Sequence, residues 1–374
     1  MFDGSWLSML HGYGFKDVEV FRSTRKFVVF RGLHESYGVV AIKAPRPCIE
    51  GGSVVECRRC SRLLLREAGF LRELRHDNIV RFYDLLFVRG DVLFMVLEFC
   101  PSSLKDLLSR RGRLSVFEAI DIVVKVGRAV KYLHELGISH GDIKPSNILF
   151  SINGVPKLSD FTIAVRIDGN KGYGDRIGYS PDYAAPEQLL GKQYFSTDVY
   201  QLAELYYEIV MGVKYKGSIV ERSLPLIITR ALSSDPLRRP SITEFIEYLE
   251  KLIRVKSYLI VGDRRILLDP RKRMYVIGRS RDVDLRIDSR YISKVHCKLV
   301  YDEVNGGWFL VDEGSHNGTV VLRDGRRIIV NGGVRMSYMG IGKLKLVSGD
   351  KIGLAFNPET GNVFMWIEYV EENH

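Results

Sequence analysis

The sequence predicts an α+β domain in two parts followed by an all-β sandwich, and three observations carry that prediction. Over residues 15–100, short runs rich in Val, Phe and Ile surround a single amphipathic helical stretch. Over residues 103–253, apolar residues recur at helical spacing. From Ser257 onward, short strand-like runs succeed one another, broken by Gly, Asp and Asn, as sandwich strands and their turns require.

Taken in order, Val18–Phe21, Phe27–Arg31 and Val39–Lys43 read as strands separated by turn residues. Cys60–Leu74 carries leucines at helical spacing with Arg and Glu between them, so it reads as a helix. Ile79–Phe87 and Val92–Phe99 return to strand character. Val116–Leu136 is an amphipathic helix stopped by Gly137, and Val199–Met211 and Ile242–Ile253 are further helices. The sandwich strands are expected at Tyr258–Val261, Met274–Ile277, Cys297–Tyr301, Trp308–Val311, Thr319–Leu322, Arg327–Val330, Lys343–Leu346, Lys351–Ala355 and Val363–Val370. The boundary falls near 253–257, with no Gly/Ser- or Pro-rich linker.

The 374 residues suffice for two or three ordinary domains, and 46% hydrophobic with 27% charged is a globular composition. A net charge of +10 favours anionic partners in general. No like-charge block and no aromatic–basic repeat supports a nucleic-acid platform. The N-terminus lacks the pattern of a signal peptide, and apolar runs such as Val92–Leu97 are too short to span a bilayer, so no membrane segment and a cytoplasmic location are expected. Cys48, Cys57, Cys60, Cys100 and Cys297 are odd in number and scattered, which argues against a disulfide scaffold. Cys57-Arg-Arg-Cys60 has no second ligand pair, so it reads as a reduced or redox-sensitive pair rather than a zinc site.

Phosphoryl transfer needs a cation on the phosphates, metal ligands, an acceptor-orienting carboxylate and a rigid frame. Val40-Ala41-Ile42-Lys43 ends a strand with a lysine, and Glu67 lies in the next helix to hold it. His140-Gly141-Asp142-Ile143-Lys144-Pro145-Ser146-Asn147 places Asp, Lys and Asn in one short loop after a helix. Asp160-Phe161-Thr162 comes after a strand-like Pro156–Leu158, and Ala185-Pro186-Glu187 has Arg239 available as an ion-pair partner.

In this order and spacing the motifs resemble a eukaryotic-type protein kinase, a two-lobed α+β fold, with residues 1–254 as the kinase domain (N-lobe about 15–100, C-lobe about 101–254). The resemblance implies that Lys43, paired with Glu67, contacts the phosphates of ATP. It implies that Asp142 orients the acceptor hydroxyl and takes its proton, and that Lys144 stabilises the transferred group. Asn147 and Asp160 would hold Mg²⁺ or Mn²⁺. Backbone groups of Glu98 and Cys100, in a hinge over Leu97–Cys100, would face adenine. Asp198 would brace the catalytic loop. Lys144 next to Pro145, and Ser180 upstream of Glu187, match the Ser/Thr branch, so protein substrates with Ser/Thr acceptors are expected.

The chain departs from this pattern in several places. Gly12-Tyr13-Gly14 is a decoy for the glycine loop. Gapless alignment on Lys43 puts the loop's valine at Val28 and its three glycine positions at Phe21, Ser23 and Lys26. Arg25 and Lys26 then supply charge where glycine would supply close backbone approach. Gly141 stands where the family often has the Arg that pairs with a phosphorylated activation segment, so activity is expected not to depend on that modification. Thr162 replaces the glycine after Asp-Phe. Gly212–Ser234 is short for a full substrate-docking region. The glycine-poor hairpin also leaves open a catalytically weak or inactive scaffold.

Binding a phosphate dianion on loops calls for Arg or Lys with hydroxyl or amide donors. Gly278-Arg279-Ser280, Ser293-Lys294-Val295-His296 and Ser315-His316-Asn317-Gly318-Thr319 offer these between strands. Together with Gly349-Asp350-Lys351-Ile352 they resemble a forkhead-associated (FHA) domain, assigned to residues 255–374. The resemblance implies that Arg279, Ser293 and Lys294 hold a phosphothreonine, that Asn317 bonds the peptide backbone beside it, and that His316 lines the edge. His296 would be structural, and Gly278 and Gly318 turn glycines. The expected partners are phosphothreonine-containing proteins, recruited as substrates of the kinase half.

Overall fold

A computed structural model describes every residue except 1–4, 89–91, 170, 176–177, 179, 218–223, 255, 303–305, 313, 332–339, 358–359 and 373–374. Part of the short Gly212–Ser234 connection, residues 218–223, therefore lies outside the described residues. Two compact units emerge, one of residues 1–220 and 226–247 and the other of residues 221–225 and 248–374.

The first unit begins with α1 (Ser5–Gly12) and a sheet of β1 (Phe15–Ser23), β2 (Phe27–His34), β3 (Gly38–Pro45), β4 (Phe82–Val88) and β5 (Val92–Glu98) in the order β1-β2-β3-β5-β4. Strand alternation sorts β2 and β3 into two faces. Val28, Phe30, Val40, Ile42 and Ala44 enter a core with Leu10, Phe15 and Phe94. Phe27, Val29, Ala41 and Lys43 lie on the opposite face, against a cavity. Between β3 and β4 runs α2 (Val54–Leu71), capped by Ser53, whose hydroxyl accepts from the Glu56 amide at 3.2 Å. Its buried stripe is Cys60, Leu64, Glu67, Ala68 and Leu71. Glu67 thus points inward because it occupies an apolar-face position.

The helical part contains α3 (Leu104–Arg111), α4 (Val116–Glu135), α5 (Phe195–Met211), α6 (Leu226–Ala231) and α7 (Ile242–Arg254). Ser103/Asp106 and Ser115/Glu118 form reciprocal capping boxes on α3 and α4. α5 is buried nearly all round, including Thr197, Asp198 and Gln201, so its polar groups must find partners inside the protein.

Cysteine chemistry differs from the expected reduced Cys57/Cys60 pair. Cys57 is joined to Cys48, from a short helical turn at Arg46–Ile49, and Cys60 is a buried free thiol. The cause is helical phase: Cys60 lies on the buried stripe of α2 while Cys57 sits toward the surface. Among the described residues no helix is long and apolar enough to cross a membrane.

The second unit holds two sheets. With β6 (Lys256–Val261), β7 (Arg264–Leu268), β8 (Met274–Gly278), β9 (Leu285–Arg286), β10 (Cys297–Tyr301), β11 (Trp308–Val311), β12 (Thr319–Arg323), β13 (Arg326–Asn331), β14 (Lys343–Lys345), β15 (Lys351–Phe356) and β16 (Val363–Glu372), their orders are β7-β6-β16-β15-β12-β13 and β9-β8-β10-β11-β14. Pairing is antiparallel apart from the short β8–β9 contact. Both sheets feed one core around Leu259, Leu299, Trp308, Leu310, Ile352, Leu354, Ile367 and Tyr369. β7 and β9 escaped sequence reading because one is charged at its start and the other is two residues long. The last turns of α7 belong to this unit, where Tyr301 donates to the Leu252 carbonyl at 3.1 Å.

Candidate functional sites

A cavity of about 460 Å³ opens in the first unit. Its walls bring together Val29, Ala41 and Lys43 from the sheet, Glu67 from α2, Leu97, Glu98 and Cys100 at and after the end of β5, and Lys144, Asn147 and Asp160 from two loops. Segments far apart in sequence therefore meet at one place.

Lys43 Nζ lies 2.6 Å from Glu67 Oε2 and 3.9 Å from Asp160 Oδ1. Burial pushes the Glu67 carboxyl up to about 7, against the pull of Lys43. For Lys43 burial works to remove the charge, and the Glu67 and Asp160 carboxylates outweigh it, so its pKa is raised. Burial likewise disfavours the Asp160 charge, but Lys43 and the Thr162 hydroxyl, which donates to Oδ1 at 2.9 Å, hold Asp160 below the ordinary carboxylate range. The Thr162 bond was not visible in the sequence.

The loop from His140 to Asn147 is fixed from below. Asp198 Oδ2 accepts from the His140 amide at 3.0 Å and Oδ1 from the Gly141 amide at 2.7 Å. His140 accepts from the Asp142 amide on Nδ1 and meets the Ser159 carbonyl with Nε2, which sets its tautomer; burial lowers its pKa and keeps it neutral. Asp142 Oδ2 takes Lys144 Nζ at 2.6 Å and Asn147 Nδ2 at 2.9 Å. Asp142 Oδ1 is buried and has no partner among the described residues. Lys144 also donates to Ser180 Oγ at 2.6 Å. Glu187 and Arg239 form a buried bidentate pair at 2.6 and 2.8 Å.

Val28 is a correction. It is fully buried in the core behind the sheet and does not line the cavity. Val29, directly opposite Lys43, does. Cross-strand partners share a face, so the residue paired with the lysine had to be the cavity residue. Of the three positions where the loop's glycines were expected, Phe21 and Lys26 line the cavity, together with Arg22, Thr24, Arg25 and Phe27. Phe27 is the residue that sequence reasoning missed: its ring centroid lies 4.6 Å from Lys43 Nζ. The hairpin turns at Thr24, whose hydroxyl accepts from the Phe27 amide at 3.0 Å.

A second cavity of about 470 Å³ is lined by Lys105, Lys144, Ser146, Ser180, Tyr183, Glu208 and Lys214, among others. Lys144 and Ser146 belong to both cavities.

In the second unit, Arg279 and Lys294 are exposed, and neither side chain has a polar partner among the described residues. Ser293 Oγ accepts from the His316 amide at 3.0 Å, which leaves its own proton free to donate outward. Asn317 Nδ2 donates to the Tyr291 carbonyl at 2.7 Å, orienting its Oδ1 away from that bond. His296 is buried and links the Ser293 amide to the Gly318 carbonyl, tying the two loops together. Gly278 is not a turn glycine. It ends β8, and a Cβ there would stand 2.2 Å from the Lys294 carbonyl oxygen. Its small size lets the Arg279 strand approach the Ser293–Lys294 backbone, where Arg279 and Ser280 amides donate to Ser293 and Lys294 carbonyls.

Comparison with known proteins finds two domain families in the chain. The protein kinase domain family matches residues 28–221, and the FHA domain family matches 275–354. A cell cycle serine/threonine-protein kinase of Saccharomyces cerevisiae is 30% identical over 220 residues, covering 52% of this chain and 31% of its own length. A probable serine/threonine-protein kinase of Clostridium perfringens is 31% identical over 214 residues, covering 50% of this chain and 31% of its own. A carbon catabolite-derepressing protein kinase of Candida tropicalis is 30% identical over 259 residues, covering 63% and 39%. The chain thus spans about a third of the length of the first two relatives. The kinase match covers more than half of the 374 residues, and the chain belongs to the protein kinase family, with an FHA domain in its C-terminal part.

Proposed function

We propose that the protein transfers the γ-phosphoryl group of ATP to Ser/Thr hydroxyls of protein substrates, and that its FHA domain recruits partners already carrying phosphothreonine. One observation carries the first half: Asp142 keeps a buried carboxylate oxygen with no partner among the described residues, while its other oxygen is held by Lys144 and Asn147, which themselves line the cavity.

That free oxygen accepts the hydroxyl proton of the acceptor side chain and orients its oxygen for in-line attack. Lys144 neutralises charge on the moving phosphoryl group, and Lys43, held by Glu67, does so on the α/β-phosphates. The carboxylate of Asp160 and the amide oxygen of Asn147 are hard oxygen donors suited to Mg²⁺. When bound, Mg²⁺ supplies charge neutralisation across the β- and γ-phosphates. Glu98 and Cys100 offer backbone groups to adenine. In the FHA domain, unpaired Arg279 and Lys294 supply charge, and Ser293 a directed donor, for a phosphate dianion. Asn317 and His316 flank them. Residues 1–254 act as the kinase domain and 255–374 as the reader.

The contrary reading, a scaffold that does no chemistry, rests on the glycine-free hairpin over the cavity and on Phe27, whose ring stands by Lys43. Incubation with γ-³²P-ATP, Mg²⁺ and a protein acceptor decides between them. Transfer by wild type that drops about 10²–10⁴-fold in Asp142→Ala supports catalysis. No transfer by wild type, with ATP binding absent or retained, establishes the scaffold. Recruitment is checked with a phosphothreonine-bearing substrate: equal rates for wild type and Arg279→Ala would overturn it.

A further inference from the structure

Gly141 lacks the side chain that, in a catalytic loop, could read a phosphate on the segment between Asp160 and Glu187. The space is not vacant. A Cβ at Gly141 would fall 2.3 Å from Gln193 Nε2, and Gly141 itself sits at φ +73°. Gln188, Gln193 and Gln201 are the chain's only glutamines, and all three converge here. They are 0%, 0% and 1% exposed.

Their amides divide the loop between them. Gln188 and Gln201 both donate to the Gly141 carbonyl, at 2.9 and 3.0 Å. Gln201 Oε1 accepts from the Ile143 amide at 3.0 Å, so one side chain grips the backbone on both flanks of Asp142. Gln193 holds Ser139 through its carbonyl and hydroxyl, at 3.2 and 3.0 Å. The same amides reach the far segment. Gln201 donates to the Tyr183 carbonyl at 3.0 Å, and Gln188 accepts from the Ala185 amide at 3.1 Å. That segment carries Ser180, which Lys144 grips from the loop side.

We infer that Gln188, Gln193 and Gln201 form a neutral amide clamp that positions Asp142 and the Ser180–Glu187 segment, so that phosphoryl transfer requires no phosphate on residues 160–187. The inference rests on the proposed kinase activity. Its physical basis is that an Arg–phosphate pair is incomplete until the phosphate arrives, whereas an amide has both donor and acceptor at all times. Buried amides satisfied by backbone groups, by the Ser139 hydroxyl and by one another need no counter-charge. The three are positioning residues, since they act through the backbone around Asp142.

The test compares four proteins: wild type as purified, wild type after exhaustive phosphatase treatment with removal of the phosphatase, Gln201→Met and Gln201→Glu. Mass spectrometry verifies the phosphate content of residues 160–187. Initial rates with the acceptor saturating give kcat and the KM for ATP. The clamp predicts that treated wild type retains its initial rate within about twofold. It also predicts that both variants lose about tenfold or more in kcat, with KM for ATP within about twofold, as expected when only the transition-state geometry is disturbed. Glu keeps the acceptor for Ile143 but loses the bonds donated to Gly141, Tyr183 and Gln188, so a folding defect specific to Met is recognised by the Glu variant. A treated wild type that falls inactive and recovers on rephosphorylation of the segment overturns the clamp while leaving the kinase reading intact. So does an unchanged kcat in Gln201→Glu. Inactivity of wild type both before and after treatment removes the kinase reading and the clamp with it.

Discussion

Adjacent valines in β2 have opposite fates, and substituting each gives separable outcomes. Val28→Ala empties part of a closed core and should cost about 1–3 kcal/mol in urea unfolding with little change in ATP affinity. Val29→Ala, on the cavity face, should leave the urea midpoint nearly unchanged and raise the KM for ATP. Identical behaviour of the two variants would contradict the register in which Val29 faces Lys43. Glu204 offers a second test at this scale. It is buried on α5, and burial pushes its carboxyl up to about 8, helped by Glu208 nearby. The folded state holds a proton that the unfolded chain gives up near pH 4.5. Stability from this group is therefore full at low pH and is lost as pH rises, by up to about 1.4 kcal/mol per pH unit between roughly pH 5 and 8. Glu204→Gln should flatten that part of the stability–pH curve measured by denaturant titration; an unchanged slope would refute the assignment. Most cavity residues were legible because their chemistry is tied to short motifs. Val29, Phe27 and Thr162 were not, because their roles depend on cross-strand register and on side-chain direction, and motif spacing carries neither.

Among the elements, α2 shows how a helix is held in place by a distant part of the chain. Its Glu67 reaches Lys43, while Arg66 donates to the Ala164 carbonyl at 2.5 Å and Glu73, just past its end, meets Arg166 at 2.9 Å. The helix is thus joined to the stretch after Asp160 at Arg66, next to Glu67, and again at Glu73. The buried Glu187–Arg239 pair performs a similar service for α5, since Arg239 also donates to the Ser196 carbonyl at the start of that helix. Removing one partner strands the other charge in the interior. Arg239→Leu should therefore destabilise the protein by about 3–5 kcal/mol, read as a lowered urea midpoint. A cost below about 1 kcal/mol would mean that Glu187 finds water or another donor. Helices and most sandwich strands were visible in the sequence from periodicity, which each element carries within itself. The Cys48–Cys57 link was not, because a disulfide depends on the phase of α2 against a separate turn.

For the molecule as a whole, each unit has a hydrophobic core of its own. A fragment covering residues 248–374 should fold alone and bind a phosphothreonine peptide with an affinity within about twofold of the full chain, measured by calorimetry; Arg279→Ala in the same fragment should lose about tenfold or more, in line with charge-assisted bonds to phosphate. A fragment that fails to fold would show that the second unit depends on the first. The sequence pattern sufficed for the two architectures, since binary patterning decides fold class. It was silent on the interior polar connections, above all the three glutamines, which look ordinary until tertiary folding brings them under one loop.

The double membership of Lys144 carries a thermodynamic consequence. Its ammonium lies on the wall shared by two cavities, and it already divides its hydrogen bonds between Asp142 and Ser180. Negative charge brought into either cavity draws on the same cation, so the two occupants compete for it. Linkage then requires each to weaken the other's affinity by the same factor. An acceptor segment with acidic residues next to its hydroxyl should raise the apparent dissociation constant of ATP, and ATP should raise that of the acceptor equally, while a neutral acceptor should leave ATP affinity unchanged.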